Sequence, residues 1–326
     1  MNNFKKVKLE DITTNLDKLR IPLSSNERSK LSKIYPYYGA QSIVDYVDRY
    51  LFDGDYLLVA EDGENLKSQN SNVCNYVTGK FWVNNHAHIL QAKGDNNLKY
   101  IYYLLNLRDF RPYVTGSAQP KLTQDNLSKM ELLIHEPCEQ QKIASVLSAL
   151  DSKIELNNRI NTELEAMAKT LYDYWFVQFD FPDKNGKPYK TSGGKMVWNE
   201  ELKREIPEGW EIDSIDSYAE VKKGELITAK DAKEGSIKVI AAGIDFSYLH
   251  STPNRLKNTI TISGSGANAG FINFWREPIF ASDCITVRGK SDSETLILLQ
   301  YLNFIQPHIL NQATGSAQPH VYPSDI

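Results

Sequence analysis

The sequence predicts an α+β protein in which two similar α/β domains are separated by one long, coiled-coil-forming α-helix. Three observations carry that expectation. A six-residue motif occurs twice, a β-like run precedes each copy, and between the copies lies a long stretch without glycine or proline whose apolar residues recur at helical spacing. A length of 326 residues exceeds one ordinary domain and suits two plus a connector.

The first domain is expected over residues 1–136. It opens on Phe4-Lys5-Lys6-Val7-Lys8-Leu9 and carries the β-like run Phe81-Trp82-Val83-Asn84-Asn85-His86-Ala87-His88-Ile89-Leu90. Tyr100-Ile101-Tyr102-Tyr103-Leu104-Leu105 then reads as a helix leading into Thr115-Gly116-Ser117-Ala118-Gln119-Pro120. The second domain, residues 207–326, repeats the series. Trp210-Glu211-Ile212-Asp213-Ser214-Ile215 matches the opening at an offset of 206, and Ile279 to Val287 answers the β-like run. Leu296 to Leu302 answers the helix, and Thr314-Gly315-Ser316-Ala317-Gln318-Pro319 repeats the motif letter for letter at an offset of 199. The second copy has therefore lost about seven residues, and divergence concentrates in the middle. Two domains reading different ligands would diverge there; so would duplicates under neutral drift.

A spacer helix is expected over residues 137–182. Ile143, Leu147, Leu150, Ile154, Asn157, Asn161, Leu164, Ala168, Leu171 and Trp175 follow alternating steps of four and three, the seam of a coiled coil. Pro137 suits a helix start and Pro182 follows its end. At about 1.5 Å per residue the helix would span about 60 Å, more than one ~34 Å turn of DNA. The seam asparagines would weaken an apolar interface and fix register with a partner helix; an amphipathic helix packed on one domain is the alternative. Residues 183–206, with Asp183-Lys184-Asn185-Gly186-Lys187-Pro188 and Thr191-Ser192-Gly193-Gly194-Lys195, are rich in turn formers and read as a linker with a small hairpin.

Hydrophobic residues at 41% and charged residues at 24% are ordinary for a globular protein. No apolar run approaches the ~20 residues of a membrane span, and the N-terminus lacks the apolar core of a signal peptide, so a cytoplasmic protein is expected. Cys74, Cys138 and Cys284 are far apart and form no CxxC pair. The net charge of −4 divides as +1 over 1–136, −3 over 137–180, +2 over 181–206 and −4 over 207–326. Nucleic-acid affinity usually rests on phosphate neutralisation, so a DNA-binding role would have to borrow positive charge from partners.

Catalytic signatures are missing. There is no GxxxxGK[ST] phosphate loop, no [DN]PP[FYW]-type motif to hold a flipped adenine and no clustered acidic-acidic-lysine nuclease signature, so no enzyme is expected. Ile260 to Gly270 imitates a strand with a dinucleotide-type glycine loop, but the loop opens onto the alternating Phe271-Ile272-Asn273-Phe274-Trp275 rather than a helix. A β-hairpin fits better. His86 and His88 alternate on a strand with no third ligand placed by the sequence, so a packed or solvated pair fits better than a metal site.

The order of recognition-like domain, long helix, linker and second recognition-like domain resembles the specificity subunit of type I restriction-modification systems. Tyr35-Pro36-Tyr37-Tyr38-Gly39-Ala40, Phe52-Asp53-Gly54-Asp55-Tyr56-Leu57-Leu58-Val59-Ala60-Glu61-Asp62-Gly63, both repeated motifs, Glu139-Gln140-Gln141-Lys142-Ile143-Ala144 and Ile206-Pro207-Glu208-Gly209-Trp210 carry the resemblance over essentially the whole chain. It implies two target recognition domains, each reading half of a split, asymmetric target in double-stranded DNA, with the helix fixing the unread spacer. It also implies modification (methyltransferase) subunits that use S-adenosylmethionine to methylate adenine, and restriction (translocase/nuclease) subunits that use ATP and magnesium. No cofactor, metal or catalytic residue is then expected in this chain. The family pattern continues past the second motif into another long helix that pairs antiparallel with the first; with the sequence stopping at Ile326, an unpaired seam, weaker assembly with modification subunits and self-association through the helix are expected. A scaffold whose domains no longer read DNA is the alternative reading.

Candidate DNA-contacting residues fall in two groups. In the repeated motifs, Thr115, Ser117 and Gln119 with Lys121, and Thr314, Ser316 and Gln318 with His320, supply donors and acceptors for phosphates or base edges. Because the copies are identical while two half-targets should differ, an architectural or backbone role suits them better. Base reading is expected in divergent parts: Lys33, Tyr35, Lys67, Asn84 and Asn85 in the first domain, and Lys222, Lys223, Arg255, Ser265 and Asn268 in the second.

Overall fold

The computed structural model describes residues 4–68, 71–116, 119–312 and 319–326. The chain forms two compact units, Met1–Asn158 and Arg159–Ile326. The N-terminal unit contains β1 (Lys5–Lys8), α1 (Leu9–Ile12), β2 (Thr13–Asn15), α2 (Ser25–Arg28), β3 (Tyr35–Tyr38), β4 (Ile43–Val47), β5 (Phe52–Ala60) and α3 (Asn65–Ser68). It continues through β6 (Cys74–Val83), β7 (Ala87–Ala92), α4 (Leu98–Asn106), β8 (Val114–Thr115), β9 (Lys121–Leu122), α5 (Gln124–Ser128) and β10 (Glu131–Ile134).

Its main sheet has the order β2-β7-β5-β6-β3-β4, parallel only between β3 and β6. The apolar end of β5 explains the centre of this sheet: Leu57, Leu58, Val59 and Ala60 are all buried, as expected of a strand covered on both faces. Alternation sends Leu57 and Val59 toward Tyr100, Ile101 and Leu105 of α4, and Leu58 toward Phe81 and Ile89. Each such side chain contributes about 1.5–3 kcal/mol on burial. β1 pairs with β10, Lys5 opposite Ile134, and so joins the first strand of the unit to the last.

Helix α6 (Pro137–Tyr172) starts on its proline, whose missing N–H costs nothing in a first turn. Its 36 residues correspond to about 54 Å at 1.5 Å per residue. Gln140 and Ala144 are buried and Ile143 packs against the N-terminal core, while Tyr103 donates to Asp151 at 2.6 Å. The helix stops short of the expected residue 182: a π-helical turn, Asp173–Val177, is followed by Phe179 at φ 64°. The reason is aromatic. The left-handed backbone turns the chain so that Phe181 stacks on Tyr189 and Trp210, at 4.8 and 5.3 Å, while Arg204 covers Phe179. The linker thus has a small core of its own beside the antiparallel hairpin of β11 (Met196–Asn199) and β12 (Arg204–Pro207).

The C-terminal unit continues with α7 (Ile215–Tyr218), β13 (Ala219–Lys223), β14 (Ile237–Ile240), β15 (Tyr248–His250), β16 (Thr259–Ser263), β17 (Ile272–Trp275), β18 (Phe280–Ala281), β19 (Cys284–Gly289) and α8 (Asp292–Gln312). Its larger sheet, β13-β19-β16-β17, repeats β2-β7-β5-β6. Even the registers agree. Thr13 faces Ala92 as Ala219 faces Gly289, and Leu57 faces Leu90 as Ile260 faces Val287. The glycine-rich loop joins antiparallel β16 and β17 through a 3-10 turn, Gly266–Asn268, so it opens onto a strand as its sequence implies. Among the described residues, no helix is long and apolar enough to cross a membrane.

Candidate nucleic-acid interface

In the N-terminal unit the repeated motif lies between β8 and β9, which pair as Val114 with Leu122 and Thr115 with Lys121. Three contacts, to Glu61 and Asp62, fasten β9. The Leu122 amide donates to the Glu61 carbonyl at 2.8 Å, Lys121 bridges Asp62, and the Lys121 ammonium lies 3.2 Å from the Glu61 carboxylate. Lys67 reaches the Gly116 carbonyl at 3.3 Å, and the Thr115 hydroxyl donates to the Lys121 carbonyl at 3.2 Å.

Beneath β9 lies a charged network. His88, 1% exposed on β7, faces Asp17 through Nδ1 at 2.6 Å and the Leu122 carbonyl through Nε2 at 2.8 Å. Arg20 donates to Glu61 at 2.8 Å and to the Ala87 carbonyl at 2.9 Å, and lies 3.5 Å from Asp17. Burial works against the charge on Asp17, but the His88 contact and the Ile89 amide outweigh it and hold the carboxyl below its ordinary range. Burial likewise opposes the charge on Glu61, and Arg20, His88 and Lys121 together pull it down. Asp17 and Arg20 carry no signal in sequence, and Glu61 is marked only as part of the Phe52–Gly63 run. The His-x-His spacing does carry one, although on a strand it would put both rings on one face; instead His86 lies in the turn before β7, exposed on Asp62 at 2.6 Å, and His88 is buried on β7.

The C-terminal unit repeats the backbone of this arrangement with different side chains. His320 bridges Ser265, the Val321 amide donates to the Gly264 carbonyl at 3.1 Å, and the Gly266 amide donates to the Pro319 carbonyl at 3.0 Å. The Ser265 hydroxyl donates to Asp283, and Asn268 is exposed on the 3-10 turn. His320 stacks on Tyr322.

The expected contact residues therefore separate. Lys67, Thr115 and Lys121 gather around the β8–β9 hairpin, and Asn84 and Asn85 lie between β6 and β7. Asn85 gives its carbonyl to Arg20 and Asn84 accepts from the His86 amide. Ser265, Asn268 and His320 gather around the corresponding loop, and Gln119 is exposed. Ser117, Thr314, Ser316 and Gln318 lie outside the described residues. Lys33 and Tyr35 belong to the β3–β4 region: the Lys33 hydrogen bond, with the Tyr46 amide and Arg28, pulls Asp45 down to about 2, and Tyr35 packs edge-on against Tyr50. Arg255 is turned inward, donating to Thr286, to the Asn254 carbonyl and to the Lys223 carbonyl. Lys222 pairs with Glu220, and Lys223 is exposed.

Along α6 the seam divides. Ile143 and Leu147 are half-buried, whereas Leu150, Ile154, Leu164, Leu171 and Trp175 are 37–58% exposed, and Asn157 and Asn161 are exposed between them.

A sheet used twice, each copy presenting a loop beside the residues that follow an identical motif, is the architecture of a duplicated recognition protein. The chain belongs to the family described as type I restriction modification DNA specificity domain, whose model matches residues 1–166 and 207–326. It is 34% identical over 146 residues to a type I restriction enzyme specificity subunit of Haemophilus influenzae, a match covering 44% of this chain and 36% of that protein. It is 35% identical over 130 residues to the MjaIX specificity subunit of Methanocaldococcus jannaschii, covering 39% of this chain and 28% of that one. These matches thus span only about a third of the relatives' lengths. The fold is shared with a type I restriction-modification S subunit from M. genitalium, at a TM-score of 0.61 and 16% identity over 99% of this chain and 86% of that chain.

Proposed function

We propose that the chain is a non-catalytic DNA specificity subunit that reads a bipartite, asymmetric target, one half through residues 1–136 and the other through residues 207–326. The observation that carries this reading is the repeated sheet order and register combined with unlike side chains at corresponding loops, such as His86 with Asp62 against Asp283 with Ser265. Two readers of different half-sites need the same frame and different contact chemistry. The acidic net charge assigns most of the phosphate grip to partners. Those partners are modification subunits that methylate adenine with S-adenosylmethionine and restriction subunits that cleave with ATP and magnesium, in the cytoplasm. Helix α6, Pro137–Tyr172, with the turn Asp173–Val177 serves as the spacer, and the segment from there to residue 206 as the linker.

Selection of bound DNA from a random pool, with modification subunits present, should return two unlike half-motifs separated by a fixed gap. A scaffold role draws support from the exposed seam of α6 and would return random sequence instead. The same seam supports self-association: sedimentation of the isolated chain should show dimers that Leu150→Ser and Leu164→Ser together abolish.

A further inference from the structure

The N-terminal unit holds the residues after its motif by a buried polar chain that has no counterpart among the described residues of the C-terminal unit. The backbone contact is common to both: Leu122 amide to Glu61 carbonyl in one, Val321 amide to Gly264 carbonyl in the other. The side-chain support is not. In register, His88 opposite Val59 corresponds to Ile285 opposite Ile262, and Ile285 has no hydrogen-bond donor on its side chain. In the N-terminal unit alone, the Leu122 carbonyl is held by His88 Nε2 while Nδ1 is anchored on Asp17, which also accepts from the Ile89 amide at 2.9 Å. Glu61, 3.9 Å from His88, links the pair to the exposed Lys121.

We propose that His88 is a positioning residue for DNA reading by the N-terminal unit: acting through Leu122, it fixes the β8–β9 hairpin and with it the reach of Lys121 and Thr115 toward a phosphate or base edge. The inference rests on the reading of this chain as a DNA specificity subunit. A buried donor aimed at one carbonyl does more than fill space, since β9 is only two residues long and has one ladder partner, β8. Without that donor the hairpin keeps the Leu122 amide contact to Glu61 but loses the bond to the Leu122 carbonyl. Thr115, which opens the repeated motif, and Lys121, which follows it, then lose a fixed origin.

Two near-isosteric variants separate positioning from simple stability. In His88→Gln the amide nitrogen occupies the place of Nε2 and keeps the bond to Leu122; in His88→Asn it occupies the place of Nδ1 and keeps only Asp17. The full chain with modification subunits is assayed by DNA selection and by affinity for sites altered in one half. His88→Asn is expected to weaken discrimination of the half-motif read by the N-terminal unit by roughly tenfold, the upper end for one hydrogen bond. His88→Gln should stay within about threefold of the parent, and both should leave the other half-motif unchanged. Equal behaviour of the two variants, or retention by His88→Asn, overturns the proposal. Should either fail to fold, the apolar pair Asp17→Leu with His88→Leu removes both buried polar partners together; a folded double variant that still reads both halves overturns it equally. If the parent itself selects no motif, the proposed function fails, a result distinct from these.

Discussion

The two units share a four-strand order and its registers, yet they fasten their corresponding loops with opposite chemistry. The N-terminal unit buries Asp17 and His88 and brings Arg20, Glu61 and Lys121 against them. The C-terminal unit places Ile285 at the position of His88 and bonds Ser265 to Asp283 by a hydroxyl. The frame is thus set by backbone pairing and apolar burial, which tolerate many sequences, whereas the support beneath each loop is free to differ. A duplicated protein can change what it reads without rebuilding its sheet.

The sharpest way to break this contrast is to impose one unit's chemistry on the other. His88→Ile installs the residue of the C-terminal unit and takes the imidazole partner from the buried Asp17 carboxylate, leaving it the Ile89 amide and Arg20, so it should cost about 1.5–3 kcal/mol. Ile285→Val should cost only about 0.5–1.5 kcal/mol. Chemical denaturation followed by a probe in each unit measures both, and equal costs would erase the distinction.

Acid should reveal the same asymmetry. Asp17 and Glu61 are held below their ordinary values of 3.8 and 4.5, so their stabilisation is complete above those values and disappears as pH falls through the lower folded ones. Hydrogen exchange near pH 3 should show the N-terminal unit opening before the C-terminal unit. Simultaneous opening would argue that the ionic chain contributes nothing.

A smaller effect is expected from Thr123→Ala. Thr123 caps α5 by accepting from the Asn126 amide at 3.2 Å, and losing the cap should cost about 1 kcal/mol, read as a shift in the denaturation midpoint of the N-terminal unit alone. The smallest effect is electrostatic. Lys121→Gln should reduce the slope of log affinity against log salt by about 0.9, one phosphate contact. Equal slopes for Lys121→Gln and the parent would remove Lys121 from the interface.

Much of the frame was legible in the chain. Identical motifs revealed the duplication, the offset of 206 at the openings is the same offset that separates α1 from α7, and the run of threes and fours marked α6. The glycine loop was readable as a hairpin because an alternating segment follows it. The site was less legible. Of the basic candidates, Lys121 reaches the β8–β9 hairpin and Lys67 adjoins it, whereas Arg255 is consumed by internal carbonyls and Lys33 by Asp45. Local sequence marks a residue as charged but does not say which acceptors the fold will bring to it.

The sequence by itself determined the duplicated frame, the central helix and the absence of a recognisable catalytic motif, because repeats and apolar periodicity are properties of neighbours along the chain. Only the tertiary structure decided where that helix stops and what lies beneath each loop. The turn at Phe179 depends on rings of Tyr189 and Trp210 meeting Phe181, and the pairing of Asp17 with His88 joins residues 71 positions apart. Such contacts are fixed by which strands lie side by side, and no local pattern encodes that.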